Sequence, residues 1–329
     1  MSAYIIETLI KILVVVLVFS FLGAFATYLE RKVLAFFQRR LGPVYVGPWG
    51  LFQVLADGIK LFSKEDILPM NANKLIFTLA PIIAMMSAFI SMAPIPFFGD
   101  FTLFGYPIKP IISDINVGLL FFLAVGSVGI YAPILAGLSS GSKYSLIGAA
   151  RAAIQLLSFE VVSTLTILAP LMIVGSLSLV AINDYQSGSV LNWLVFKQPL
   201  AFVLFLVASY AELNRTPFDL LEHEAEIIAG YATEYSGLKW GMFFLAEYAH
   251  MFAFCFVISI IFFGGYNPLW FIPGGLAIIL KVCFFVFLAM WARATFPHIR
   301  PDQLMQMCWK IMMPLALLNI LLTSIAILL

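Results

Sequence analysis

Apolar runs, most of them close to 20 residues long, recur along the whole of this 329-residue chain. That recurrence constrains the fold more than any motif does, because about 20 apolar residues wound as a helix cross the roughly 30 Å hydrocarbon core of a bilayer. Runs fall at about 4–29, 74–98, 115–138, 152–180, 199–213, 239–264, 270–292 and 308–328. With 63% hydrophobic and 11% charged residues, the composition lies far from the soluble balance of about 25% charged. The expected fold is all-α: one polytopic membrane domain over 1–329, with about eight transmembrane helices and an amphipathic helix on the cytoplasmic side. Pro81, Pro94, Pro133, Pro170 and Pro314 fall inside these runs and predict kinks, which neighbouring helices can accommodate in a membrane. The N-terminal run has an acid, Glu7, before Lys11 and an apolar core too long for a cleaved signal, so it reads as a retained first span.

Basic residues give the orientation. Loops 30–73, 139–151, 214–238 and 293–307, with the flanking Lys74, Lys239 and Lys310, hold 14 of the 18 lysines and arginines. The opposite loops hold Lys109 and Lys197, while Lys11 and Lys281 lie within spans. By the positive-inside rule the basic set is cytoplasmic and both termini are periplasmic. A formal net charge of +1 gives no basis for a nucleic-acid partner. Cys255, Cys283 and Cys308 all lie in apolar runs with no CxxC and no histidine at ligand spacing. They read as buried structural thiols, not as a metal site or a disulfide framework.

In GLFQVLADGIKLFSKED (50–66), an advance of 100° per residue gathers Gln53, Asp57, Lys60 and Lys64 in one narrow arc, with apolar residues around the rest. That pattern predicts a helix in the membrane interface or against other spans; periodicity alone also fits an ordinary re-entrant packing helix. The QRRLGPVYVGPWG stretch before it, with two Gly-Pro pairs, reads as turns.

The acids are less evenly spread than the cations. NRTPFDLLEHEAEIIAGYATEYSG (214–237) gathers Asp219, Glu222, Glu224, Glu226 and Glu234 into one cytoplasmic loop. Thr216-Pro217-Phe218-Asp219 has the residues of a helix start, which would place Asp219, Glu222 and Glu226 on one face. A solvated acidic face is the plain alternative, but Leu220, Leu221, Ile227 and Ile228 interrupt it. Glu160, Glu212 and Glu247 lie within spans, where an ionisable residue costs about 3 kcal/mol to insert and is by default a functional candidate. Together the acids predict a train leading from the loop into the membrane, able to pass protons or to respond to charge at one end. Any single one also fits a buried hydrogen-bond partner. Cations at span ends (Arg31, Lys32, Arg39, Arg40, Lys60, Arg215, Arg293, Arg300), which singly read as snorkelling side chains, join Trp49, Phe52 and Phe218. They outline a chamber with an apolar wall and a polar end, suited to an amphiphile with a long apolar tail and a reducible head.

Three segments, GPWGLFQVLADGIKLFSKED (47–66), AELNRTPFDLLEHEAEIIAGYATEYSG (211–237) and RATFPHIRPDQLM (293–305), with YLERK at 28–32, resemble the H-subunit family of bacterial NADH:quinone oxidoreductase, respiratory complex I. The likeness covers nearly the whole chain. It departs at Val44 and Tyr45, at Leu221, and at His298 and Pro301, where many members carry other residues. The resemblance implies a subunit that joins the peripheral electron-transfer arm to the membrane arm and forms much of a tunnel for quinone, ubiquinone or menaquinone. It implies no redox cofactor or metal in this chain and no catalytic residue of its own. Glu30, Arg31, Asp57, Gly58, Lys60, Arg215, Phe218 and Arg293 would contact quinone along the tunnel. Glu160, Glu212, Asp219, Glu222, Glu224, Glu226 and Glu247 would couple its reduction to proton movement. The implied partners are the other membrane-arm subunits, the iron–sulfur and quinone-site subunits of the peripheral arm, and lipid, and the implied location is the bacterial inner membrane. Energy-converting hydrogenases share part of these motifs and offer the same fold with protons as electron acceptor. A stand-alone proton or cation carrier is a third reading, disfavoured by the lack of inverted-repeat spans.

Overall fold

The structure, a computed structural model, describes residues 2–103, 106–221, 228–268 and 272–329. Of the acidic loop, Glu222, Glu224 and Glu226 lie outside the described residues. The helices are α1 (Ser2–Phe37), α2 (Gln53–Ser63), α3 (Lys74–Ile90), α4 (Gly118–Ser139), α5 (Lys143–Val174), α6 (Leu179–Tyr185), α7 (Leu194–Lys197), α8 (Pro199–Glu212), α9 (Gly237–Phe262), α10 (Gly274–Thr295) and α11 (Pro301–Leu328). Among the described residues, α1, α4, α5, α9, α10 and α11 are long and apolar enough to cross a membrane, and α3 and α8 are shorter apolar helices. A small antiparallel hairpin, Phe101–Leu103 paired with Tyr106–Ile108, departs from the all-helical expectation.

Hydrogen bonds gather the loops at two ends. At one, Asn73 N–H donates to Ser139 O (3.0 Å), Ser236 Oγ to Glu65 O (3.0 Å) and Ile299 N–H to Pro217 O (3.2 Å). These bonds draw together the four loops that the basic residues assigned to one face. At the other end, Asn183 and Gln186 accept from Tyr266 N–H and Gly264 N–H (both 3.1 Å), and Gln198 donates to Thr323 Oγ1 (2.8 Å). Helix α9 runs through the middle, with α1, α3 and α10 packed on it, while α5 holds α4, α8 and α11. One contiguous apolar core joins them, rich in ring contacts such as Phe19–Phe97–Phe256 and Phe202–Phe263–Phe285.

Several boundaries differ from those read off the sequence. Helix α1 continues through YLERK to Phe37, because nothing breaks it before Arg39, whose φ of 55° turns the chain. Glu30 therefore belongs to a helix and not to a loop. Helix α5 starts at Lys143, so Glu160 sits near its middle. Helix α11 includes six π-helical residues, Met307–Met312, just before Pro314. Pro94 falls in turns beyond α3. Cys255 and Cys308 are buried as expected, but Cys283 is exposed on the outward face of α10.

The expected helix start at Thr216 is absent: residues 213–221 form turns and irregular backbone. Long-range capture outweighs the local capping signal. Gln155 Nε2 on α5 donates to the carbonyls of Ala211 (2.8 Å) and Phe218 (2.7 Å), and Phe218, Leu220 and Leu221 are buried in the core.

Candidate functional site

The acid-bearing helices converge on a buried ion cluster. Glu30 of α1 is 3% exposed and Arg215, just beyond α8, is 4% exposed. Arg215 Nη1 donates to Glu30 Oε2 at 2.7 Å, and its Nε lies 3.2 Å from Glu247 Oε1 of α9. Arg293 of α10 pairs with the other Glu30 oxygen, and Tyr248 donates its O–H to Glu30 Oε2. The Arg215 guanidinium also stacks over the Tyr248 ring, 4.3 Å from its centroid. Two carboxylates thus face two guanidiniums. A buried ion pair needs such matching, since an unbalanced buried charge is costly.

Helix α8 explains how Arg215 comes to lie so deep. Its 14 residues reach only about 21 Å at about 1.5 Å per residue, and it ends at Glu212, three residues before Arg215. The chain therefore leaves helical geometry while still inside the protein. Buried irregular backbone needs partners for its polar groups, and Gln155 supplies donors to the carbonyls of Ala211 and Phe218.

A cavity of about 640 Å³ lies on one side of this cluster. Its wall is made by Gly23 and Thr27 of α1, by Asp57, Gly58 and Lys60 of α2, by Tyr235 just before α9, and by Trp240, Phe244 and Tyr248 of α9. Arg31 Nη1 donates to Asp57 Oδ2 at 2.7 Å, and Gln53 Nε2 to Asp57 Oδ1 at 3.0 Å. Asp57, Lys60 and Lys64 of the polar stripe therefore line the cavity together with the apolar Val54, Leu61 and Phe62, while Leu55 and Ile59 are exposed. Tyr235 stacks on Phe77 with centroids 4.0 Å apart and donates to Phe77 O (3.1 Å). Burial pushes its phenol up to about 12, so it remains an O–H donor. Gly237, at φ 55°, lets α9 begin against α2: a Cβ there would meet Lys64 O at 3.2 Å.

A smaller cavity of about 100 Å³ lies on the other side. Glu160, Glu212, Glu247, His250 and Tyr231 all line it, with Ser87, Ser127 and Gly129. Ser127 donates to Glu160, and Glu212 Oε1 is buried with no hydrogen-bond partner. Carboxylates around so small a space repel one another when charged.

The structure thus brings together Glu30, Arg215, Arg293 and Glu247 in the cluster, Arg31, Asp57, Gly58 and Lys60 in the larger cavity, and Glu160, Glu212 and Glu247 in the smaller. Phe218 packs on Phe159 and lines neither cavity, and Trp49 and Phe52 are exposed. Asp219 lies in the irregular segment after α8. Tyr248 and His250 were missed in the sequence; their place beside Glu247 in an apolar run was the available signal. Among the described residues no group of three or more His, Cys, Asp or Glu is placed to hold a metal ion.

These features define a class: a multi-pass membrane protein whose buried ion cluster touches both a larger amphiphilic cavity, through Tyr248, and a smaller acidic one, through Glu247. The profile of a family described as NADH dehydrogenase matches residues 10–324. The chain is 82% identical over 328 residues, the whole of both chains, to proteins named as the H subunit of NADH-quinone oxidoreductase in Helicobacter acinonychis (strain Sheeba) and Helicobacter pylori (strain J99 / ATCC 700824). It is 72% identical over 320 residues to the protein of that name from Helicobacter hepaticus, covering 97% of this chain and 96% of the other. The chain belongs to the family of NADH-quinone oxidoreductase H subunits, membrane components of an enzyme complex, and not to the hydrogenase branch.

Proposed function

We propose that this chain is the quinone-tunnel and coupling subunit of a proton-translocating NADH:quinone oxidoreductase. One observation carries the reading: Glu247 and Tyr248, adjacent on α9, line different cavities, and Glu30 with Arg215 bridges them. The larger cavity has the apolar wall and polar end that a quinone with a long tail requires. Arg31, Asp57 and Lys60 meet the head or its path, and Gly58 keeps the lumen open. Electrons come from the iron–sulfur subunits of the peripheral arm; this chain holds no cofactor, and quinone is its substrate.

Reduction of quinone consumes protons and changes the charge beside Tyr248. The Tyr248 O–H, Glu30 and Arg215 respond as one hydrogen-bonded unit, so the field at Glu247 changes with them. Glu247, Glu212 and Glu160 redistribute protons in the smaller cavity and pass the change to neighbouring membrane-arm subunits. Asp219, Glu222, Glu224 and Glu226 belong to the same train on the loop. In this reading α3 and α8 cross the membrane with the six longer helices, giving eight crossings of the inner membrane, with both termini periplasmic and the basic loops cytoplasmic.

The test is a photoreactive quinone cross-linked in the intact complex. Labels on peptides covering 54–61 and 235–248 are expected. Labels confined to other subunits, or to the outward faces of α1 and α10, would overturn the assignment of the cavity.

A further inference from the structure

His250 lies one residue beyond the Glu247–Tyr248 pair and Ala249 on α9 and faces the smaller cavity. The groups around it come from every neighbouring element. Helix α3 offers Ser87, whose Oγ is 3.4 Å from His250 Nε2, and α4 offers Ser127 and Gly129. Helix α5 contributes Glu160, α8 contributes Glu212, α9 itself contributes Glu247, and the turn after the acidic loop contributes Tyr231. Among the described lining residues none is a lysine or arginine. Gly129 is required for this approach: a Cβ there would stand 2.7 Å from Ser87 Oγ and 3.3 Å from His250 Nε2. Glu212 Oε1, buried and without a partner, shares the space.

A small cavity with three carboxyl groups and one imidazole is more than an acidic cluster. Glu247 has Arg215 beside it; a carboxyl group with no cation beside it can dilute its negative charge only by keeping its proton. An imidazole can take a proton from such a group: the carboxyl O–H bond breaks, an N–H bond forms, and a carboxylate–imidazolium pair replaces two neutral groups. Net charge is conserved, while positive charge appears opposite Ser87, on the α3 side of the cavity.

We propose that His250 is a proton-binding member of this cavity, accepting a proton from the acids when quinone reduction alters their charge and returning it afterwards. It is a positioning group for protons and touches no quinone. The proposal rests on the reading of Glu160, Glu212 and Glu247 as coupling groups.

The test uses the assembled complex with ring-labelled histidine and infrared difference spectra recorded on quinone reduction, beside the pH profile of proton translocation in proteoliposomes. Two variants, His250→Asn and His250→Gln, are compared with Glu212→Gln; Ser87→Ala removes the neighbouring hydroxyl with little change of volume. The expected results are a reduction-induced imidazole band lost in both His250 variants, a shifted midpoint of that band in the serine variant, and one inflection missing from the pH profile. If the histidine variants keep the band and the profile of the parent while Glu212→Gln loses translocation, the proposal falls and the coupling reading stands. If Glu212→Gln also translocates normally, both fall. Should neither histidine variant assemble, the parent and Ser87→Ala spectra decide: no reduction-induced imidazole band in either overturns the proposal.

Discussion

Glu30 receives donors from three separate segments, Arg215, Arg293 and Tyr248, and its replacement is the most informative single change. Glu30→Gln leaves two guanidiniums facing only Glu247. Loss of one partner of a buried pair costs about 3–5 kcal/mol, measured as thermal dissociation of the complex. Adding Arg293→Gln to Glu30→Gln restores one cation to one acid, so the double variant is expected to be the more stable of the two. Tyr248→Phe keeps the ring under Arg215 but removes a hydrogen bond to a charged group, of the order of 1.5–3 kcal/mol. Quinone reduction is expected to slow while electron input to an artificial acceptor continues. The acids within spans were legible in the sequence, because charge is scarce there. The pairing of Arg215 with Glu247 and with Glu30 was not, since it draws Arg215 to a residue 185 positions away.

At the level of elements, α2 and α8 shape the site. A Cβ on Gly58 would meet no atom within 4 Å, and the residue lines the larger cavity. Gly58→Val therefore has room in the fold, and helix propensity does not oppose it. It is expected to leave assembly intact and raise the KM for quinone by roughly tenfold, a loss of about 1.4 kcal/mol. An unchanged KM would remove α2 from the quinone path. The amphipathic pattern of α2 was plain in the sequence, but not which side its polar stripe would face: Asp57 turns to Arg31 and the cavity with Val54, Leu61 and Phe62 beside it, and Leu55 and Ile59 are left exposed. The Thr216 helix start failed for a related reason. Local capping signals are worth about 1 kcal/mol, and burial of Phe218, Leu220 and Leu221 with the Gln155 hydrogen bonds outweighs them.

For the whole molecule, hydropathy and charge asymmetry sufficed to sort the chain into apolar helices and two sets of loops, and the loops meet as sorted. Periodicity carried no information on how α9 would face both cavities at once, because α9 is apolar all round and largely buried. The coupling depends on that placement: one chain of contacts from Tyr248 through Glu30 and Arg215 to Glu247, then a shared cavity with Glu160 and Glu212. Its most direct measurement is the number of protons translocated per quinone reduced by the Glu212→Gln complex in sealed proteoliposomes. With an uncoupler present, quinone reduction is expected to continue, and without it the proton yield per quinone should drop clearly below that of the parent. Reduction with an unchanged proton yield would contradict a coupling role for the acids of the smaller cavity.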